Sequence, residues 1–223
     1  MGESIKRIVE PYQDSYSPNG IIGEKDACGV GFIANIKGIE SNWILKQSLK
    51  GLNCMEHRGG CGGDSDSGDG AGILCSIPWG YLDEEMNLIN KQKLERGLGM
   101  LFMPNKKEKI QECKSICEEE AEKLKIKGTS WRTVPVNNEI LGPLAKANVP
   151  YISQWILYVD KKDNQNIEKL LFQLRKRIEK KIRETFKNDV GDCEFYFASL
   201  SSQTVVYKGM VRSEILSEFY QDL

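Results

Sequence analysis

Histidine is nearly absent from this chain: His57 is the only one in 223 residues. Any chemistry that needs a general base must therefore use His57 or find another group. Charge of one sign is missing too. With 31 Lys and Arg against 32 Asp and Glu, the formal net charge is −1. Composition thus offers no electrostatic footprint for nucleic acid. No apolar run approaches the ~20 residues of a membrane span. The seven cysteines include no Cys-x-x-Cys pair. That pattern suits reduced thiols in a reducing compartment better than a disulfide framework. No internal repeat is visible.

Residues 1–27 stand apart from the rest. They mix Pro11, Pro18, Gly20 and Gly23 with Glu3, Glu10, Asp14, Glu24 and Asp26. An apolar core of the secretory type is missing, and so is the Arg-rich, acid-poor bias of a transit peptide. A disordered tail and a removable propeptide both fit this composition.

Past residue 27, the hydrophobic pattern predicts a series of elements. Gly29–Ile36 reads as a glycine-bearing strand. Ser41 is placed to cap a helix over 42–56. A glycine-rich loop, 59–70, leads into a strand over 71–77 that Pro78 ends. Strands are expected at 99–103, 131–134 and 152–160. Charged helices are expected at 106–126 and 165–187, each with one apolar stripe. Residues 193–200 and 203–207 read as a pair of strands joined at a Ser-Ser turn, and a last helix begins near Ser213. Strands and helices do not alternate strictly, which favours an α+β fold over a doubly wound parallel sheet.

Few residues can carry chemistry. Cys113 and Cys117 sit one helical turn apart, but no second pair completes a zinc set. The loop Gly59-Gly-Cys-Gly-Gly-Asp-Ser-Asp-Ser-Gly-Asp-Gly70 fails as a calcium loop, because Gly68 and Cys75 fall where ligands belong. It fails as a phosphate loop for want of the Gly-Lys-Ser/Thr ending. A flexible segment able to wrap closely around a site remains, as does a plain surface turn. A lone histidine such as His57, beside Arg58, is more often structural than catalytic.

Cys28 offers a different solution, conditional on a cut before it. Its thiol would then sit beside a free α-amine whose reference pKa is about 7.7–8.0. One residue would supply both nucleophile and base.

The segments Cys28-Gly-Val-Gly-Phe-Ile-Ala-Asn35, Cys54 through Gly70, Ile77-Pro-Trp79, Arg132-Thr-Val-Pro-Val136, Phe195 through Arg212 and Glu218-Phe-Tyr220 resemble one known family. They are similar to the amino-terminal part of glutamate synthase, most of all the ferredoxin-dependent type of plastids and cyanobacteria. The resemblance implies a class II glutamine amidotransferase domain with the N-terminal-nucleophile fold, an αββα four-layer arrangement, incomplete at the C-terminus. It implies that 1–27 is a propeptide and that 28–223 is the amino-terminal part of the domain. Cys28 is then the catalytic residue that releases ammonia from glutamine. Arg58 is a site-shaping, substrate-binding residue by the same resemblance, and His57 and Asp69 are either structural or support the site from further out.

No cofactor is implied within this segment. FMN and a 3Fe-4S cluster, with 2-oxoglutarate and ferredoxin as partners, are implied for the full-length enzyme. The family's arginine for the glutamine carboxylate and its oxyanion Asn-Gly occur in segments that these residues do not contain, so residues 1–223 alone are expected to hydrolyse glutamine poorly. Another class II amidotransferase and a non-catalytic module keeping the fold are the alternative readings. With 23 lysines against 8 arginines, the composition suits an AT-rich genome. The expected location is a plastid stroma, with the gene in the plastid, or else a cyanobacterial cytoplasm.

Overall fold

A computed structural model of the chain describes residues 29–55, 67–68, 70–88, 94–126, 128–160, 166–187 and 194–223. The chain divides into two units, Met1–Val30 and Gly31–Leu223. Of the first, only Gly29 and Val30 are among the described residues.

Six helices and six strands make up the described part. They run α1 (Asn42–Asn53), β1 (Ala71–Ser76), α2 (Trp79–Glu85), β2 (Leu94–Met103), α3 (Lys107–Lys123), β3 (Gly128–Thr133), α4 (Pro143–Ala147), β4 (Tyr151–Asp160), α5 (Ile167–Thr185), β5 (Tyr196–Ser201), β6 (Thr204–Gly209) and α6 (Leu216–Phe219). One sheet has the order β3-β4-β2-β5, and a second pairs β1 with β6. Every pairing is antiparallel. This is the α+β class that the irregular element order implied.

The longest strands are apolar on both faces because both faces are covered. Along β4, Ile152, Ile156 and Tyr158 point into a core shared with the β1–β6 sheet, joined by Met100 and Phe102 of β2 and Val205 and Tyr207 of β6. The alternate residues Trp155, Leu157 and Val159 point the other way, onto α3 and α5. Period-two alternation therefore sorts one strand between two cores. Helix α5 supplies Leu171, Leu174, Ile178 and Ile182, and α3 supplies Cys113, Ile116 and Cys117. Cys113 and Cys117 are thus packing residues. Gly97 of β2 lets α5 approach, since a Cβ there would sit 2.8 Å from Leu171 Cδ1.

Capping follows the sequence. Ser41 Oγ accepts the Ile44 N–H at 3.4 Å, and Asn166 Oδ1 accepts the Lys169 N–H at 3.2 Å. Each oxygen satisfies a donor that the first helical turn leaves free.

Two expectations fail. Residues 29–36 form no strand; they are exposed coil that ends in a turn, where the Gly38 N–H reaches Asn35 O at 2.9 Å. A strand needs a partner, and the segment has no ladder here. The second error concerns β5 and β6, which do not pair with each other but belong to different sheets. The chain turns a corner at Ser201–Ser202. Glu168 Oε1 holds that corner by accepting from both hydroxyls and from the Ser202 N–H, at 2.6–3.0 Å. Ser199 Oγ takes the Val206 N–H at 3.1 Å, where a hairpin would have used a backbone carbonyl.

Candidate functional site

The glycine loop enters the described structure at its C-terminal end. Ser67 is buried, and its Oγ accepts the Ala145 N–H at 3.1 Å. Gly68 is pressed against the backbone of the Val211–Arg212 segment: a Cβ on it would lie 2.7 Å from Arg212 N and 2.8 Å from Val211 C. Gly70 has φ +132°, a conformation that side chains disfavour. At Gly72 a Cβ would stand 2.8 Å from Lys208 Cβ. At the described end of the loop Gly68 thus serves close backbone approach, which favours the segment that wraps closely over the plain surface turn the sequence left equally open.

The segment that meets Gly68 continues to the last residues. Asn137 N–H donates to Phe219 O at 2.8 Å, and Gln221 N–H to Pro135 O at 3.2 Å. Tyr220 Oη donates to Lys208 O at 2.6 Å. These bonds fasten residues 219–221 to the chain leaving β3 and carry Asp222 between the sheets.

There Asp222 meets Arg132, the charged residue of the Arg-Thr-Val-Pro-Val segment. Arg132 is on β3 with its side chain only 5% exposed, and Asp222 is 1% exposed. One guanidinium nitrogen, Nη1, donates to Asp222 Oδ2 at 2.7 Å and to Gln154 Oε1 at 2.9 Å. The other, Nη2, lies 2.6 Å from Glu85 Oε2 and donates to Tyr81 Oη at 3.2 Å. Gln154 in turn donates to Tyr207 Oη at 3.3 Å. Burial pushes the Asp222 carboxyl above the usual aspartate range, against the pull of Arg132. The sequence reading noticed the segment but assigned Arg132 no task. Its principal partner lies 90 residues away, and no local pattern reports it.

Asp222 also forms part of a groove of about 700 Å³ between α1 and β1. Ile44 and Leu45 of α1 line one side, and Ile73 and Cys75 of β1 another. Burial, with Asp222 and Glu40 adding negative charge, raises the Cys75 thiol from 9.0 to about 11. At pH 8 that leaves ~100-fold less thiolate than the ordinary value would. Cys75 should therefore react with iodoacetamide about two orders of magnitude more slowly than an unperturbed thiol. Peptide mapping over a time course reads that rate, and modification as fast as a model thiol would contradict it.

Cys28 and Arg58, to which the sequence reading tied the chemistry, and His57 and Asp69 all lie outside the described residues. What the structure supplies is the setting on the loop's far side, with Ser67, Gly68, Gly70 and Gly72 seated against β6 and the 211–212 segment. Among the described residues no group of three His, Cys, Asp or Glu side chains could hold a metal ion. No described helix is long and apolar enough to cross a membrane.

Comparison with known proteins adds what geometry cannot. Residues 28–223 match the family profile described as glutamine amidotransferases class-II. The chain belongs to that family. The amidotransferase match begins at Cys28 itself. Among curated relatives, "Ferredoxin-dependent glutamate synthase 1, chloroplastic/mitochondrial" of Arabidopsis thaliana is 45% identical over 91% of this chain and 12% of its own length. "Ferredoxin-dependent glutamate synthase" of Pyropia yezoensis is 41% identical over 99% of this chain and 14% of its own. "Ferredoxin-dependent glutamate synthase 2" of Synechocystis is 41% identical over 91% and 13%. This amidotransferase chain therefore spans about an eighth of the length of those relatives.

Proposed function

We propose that this chain is the glutamine-hydrolysing part of a ferredoxin-dependent glutamate synthase. The observation that carries the reading is the start of the family match at Cys28. A domain whose first residue is a cysteine suits a nucleophile that uses its own α-amine as base. On this reading residues 1–27 are a propeptide, removed by water across the Ala27–Cys28 peptide bond.

The chemistry follows from two groups on one residue. The Cys28 thiol gives its proton to the α-amine, directly or through a water. The thiolate attacks the side-chain amide carbon of glutamine. A tetrahedral intermediate forms, the C–N bond breaks, and nitrogen leaves as ammonia with the proton the amine had held. Water then cleaves the thioester, yielding glutamate and the free thiol. Donors aimed at the oxyanion are needed to lower the barrier. Arg58 is assigned to shaping the substrate site. The helices on the outer face of the β3-β4-β2-β5 sheet, with α1 against the β1–β6 sheet, suit the four-layer fold of an N-terminal nucleophile enzyme.

In the whole enzyme we assign the ammonia to reductive conversion of 2-oxoglutarate into glutamate, with ferredoxin as electron donor and FMN and a 3Fe-4S cluster as cofactors. Such clusters are held by several cysteine thiolates. Among the described residues the cysteines Cys54, Cys75, Cys113 and Cys117 form no such set. We assign the cofactors to other parts of the enzyme, and no step above passes through them. The plastid stroma is the proposed location, in keeping with the relatives' names, with a cyanobacterial cytoplasm as the alternative.

Intact mass and active-site labelling of the natural gene product test the reading. The expected species begins at Cys28 and takes one equivalent of a glutamine-analogue electrophile on that residue. Cys28→Ser should abolish the labelling. An amino terminus left at Met1, or labelling that survives Cys28→Ser, would overturn the assignment.

A further inference from the structure

A second groove, of about 760 Å³, opens where the β1–β6 sheet meets the end of β2 and the turn between α4 and β4. Its floor is made of buried core residues, Phe102, Leu141, Ile152 and Phe219. Among the described residues that line it, only Asn148, Glu194, Tyr196 and Lys208 have polar side chains. A mostly apolar concavity of this size, with a few convergent polar groups, is the usual form of a small-molecule site.

The two charges gather at one ring. Lys208 Nζ stands 4.7 Å from the centre of the Tyr196 ring, a cation over a π face. Glu194 acts on the same phenol: burial, with the Glu194 charge adding to it, raises Tyr196 above the ordinary tyrosine range. Tyr196 also packs edge-on against Phe102, with ring centres 5.0 Å apart, so the charged mouth adjoins the apolar floor. Gly72 is the cross-strand neighbour of Lys208. It has no side chain to lay over the lysine stem, and glycine within a strand marks places where another group comes close.

A ligand that uses the whole groove must carry an anion and a cation a few bonds apart, with an apolar remainder. An inorganic anion would be repelled by Glu194. A plain hydrocarbon would strip water from both charges and return nothing for it. An α-amino acid with an apolar side chain meets every requirement.

We propose that this groove binds a free α-amino acid with an apolar side chain, its carboxylate on Lys208 and its ammonium on Glu194. The side chain lies on the floor formed by Phe102, Leu141 and Ile152. Such a ligand lacks the carboxamide that a glutamine-hydrolysing nucleophile attacks, so its binding is not turnover.

An NMR titration of the 223-residue chain with L-phenylalanine tests it. A ligand of this size should saturate one site with a Kd on the order of 1 mM, and the amides of Tyr196 and Lys208 should shift. Two analogues each lack one charge: 3-phenylpropionate has no ammonium, and phenethylamine has no carboxylate. Each should bind at least ~10-fold more weakly, because a hydrogen bond to a charged partner is lost. Lys208→Met should weaken L-phenylalanine by a similar factor without weakening phenethylamine. Glu194→Gln should weaken L-phenylalanine without weakening 3-phenylpropionate. L-Glutamine should bind at least ~10-fold more weakly than L-phenylalanine, since its carboxamide would lose water against the apolar floor.

Absence of saturable binding would overturn the proposal, and so would shifts confined to residues outside the groove. Equal affinity for L-phenylalanine and either analogue would overturn it, as would equal affinity for L-glutamine or variants that bind L-phenylalanine unchanged. The analogue series on the unaltered chain stays decisive if a variant fails to fold. The same titration on the natural gene product should give the same site. Loss of binding there would mean that another segment or a second copy fills the groove, and would also overturn the proposal.

Discussion

Arg132→Met should destabilise the fold by about 3–5 kcal/mol, the usual cost of removing one partner of a buried ion pair. The cost arises mostly from what is left behind. Asp222 Oδ2 and Gln154 Oε1 both lose their donor in the space between the sheets. The Asp222 side chain is 1% exposed, so water cannot replace the guanidinium without a rearrangement. Glu85 is partly exposed and can hydrate. At ~2–4 °C per kcal/mol for a chain of this size, the melting temperature should fall by more than 6 °C.

The double variant Arg132→Met with Asp222→Asn should recover part of the loss, because neutralising the stranded carboxylate removes its desolvation penalty. Thermal or urea unfolding of the two single variants and the double one measures the coupling. Additive losses would show that Arg132 and Asp222 act independently. A single-variant loss below 1 kcal/mol would remove the pair from any account of how residues 219–222 are held.

That network shows where sequence reading stops. The stripes of α3 and α5 were legible because helical periodicity is local. Both helices run where the pattern put them, and the two-sided burial of β4 is written in its apolar run Trp155–Val159. The partners of β5 and β6 were not legible. A Ser-Ser turn between two apolar runs reads as a hairpin, and only Glu168, from a helix more than 30 residues earlier, shows that it is a corner between sheets. The strand expected at 29–36 failed for a related reason: composition can propose a strand, but a strand exists only with a partner. At the site, the chemical argument for Cys28 came from the residue itself. The seat of the glycine loop came from contacts with residues 208–212, well over a hundred positions later.

The loop's seat supports a prediction in which one substitution has opposite signs at two places. Gly68→Ala should destabilise the protein by about 1–3 kcal/mol, the range for overpacking. The new Cβ would lie 2.7 Å from Arg212 N and 2.8 Å from both Val211 C and Val211 O. All three are backbone atoms, so no side chain can rotate away. Either the loop end or the 211–212 segment must move. Val211 is buried in the core between the sheets, and Ser67 is tied to Ala145, so neither side is free. Gly51→Ala in α1 meets nothing within 4 Å, and alanine in a helix interior is favoured by about 0.5–1 kcal/mol over glycine. Denaturant midpoints should therefore move down for Gly68→Ala and up for Gly51→Ala. The two also separate fold from function. If the loop shapes the surroundings of Cys28, labelling of that thiol in the natural gene product slows in Gly68→Ala and is unchanged in Gly51→Ala. Equal midpoints for the two variants would mean that the close approach at Gly68 is readily relieved, and the loop would then lose its claim to a fixed seat beside the site.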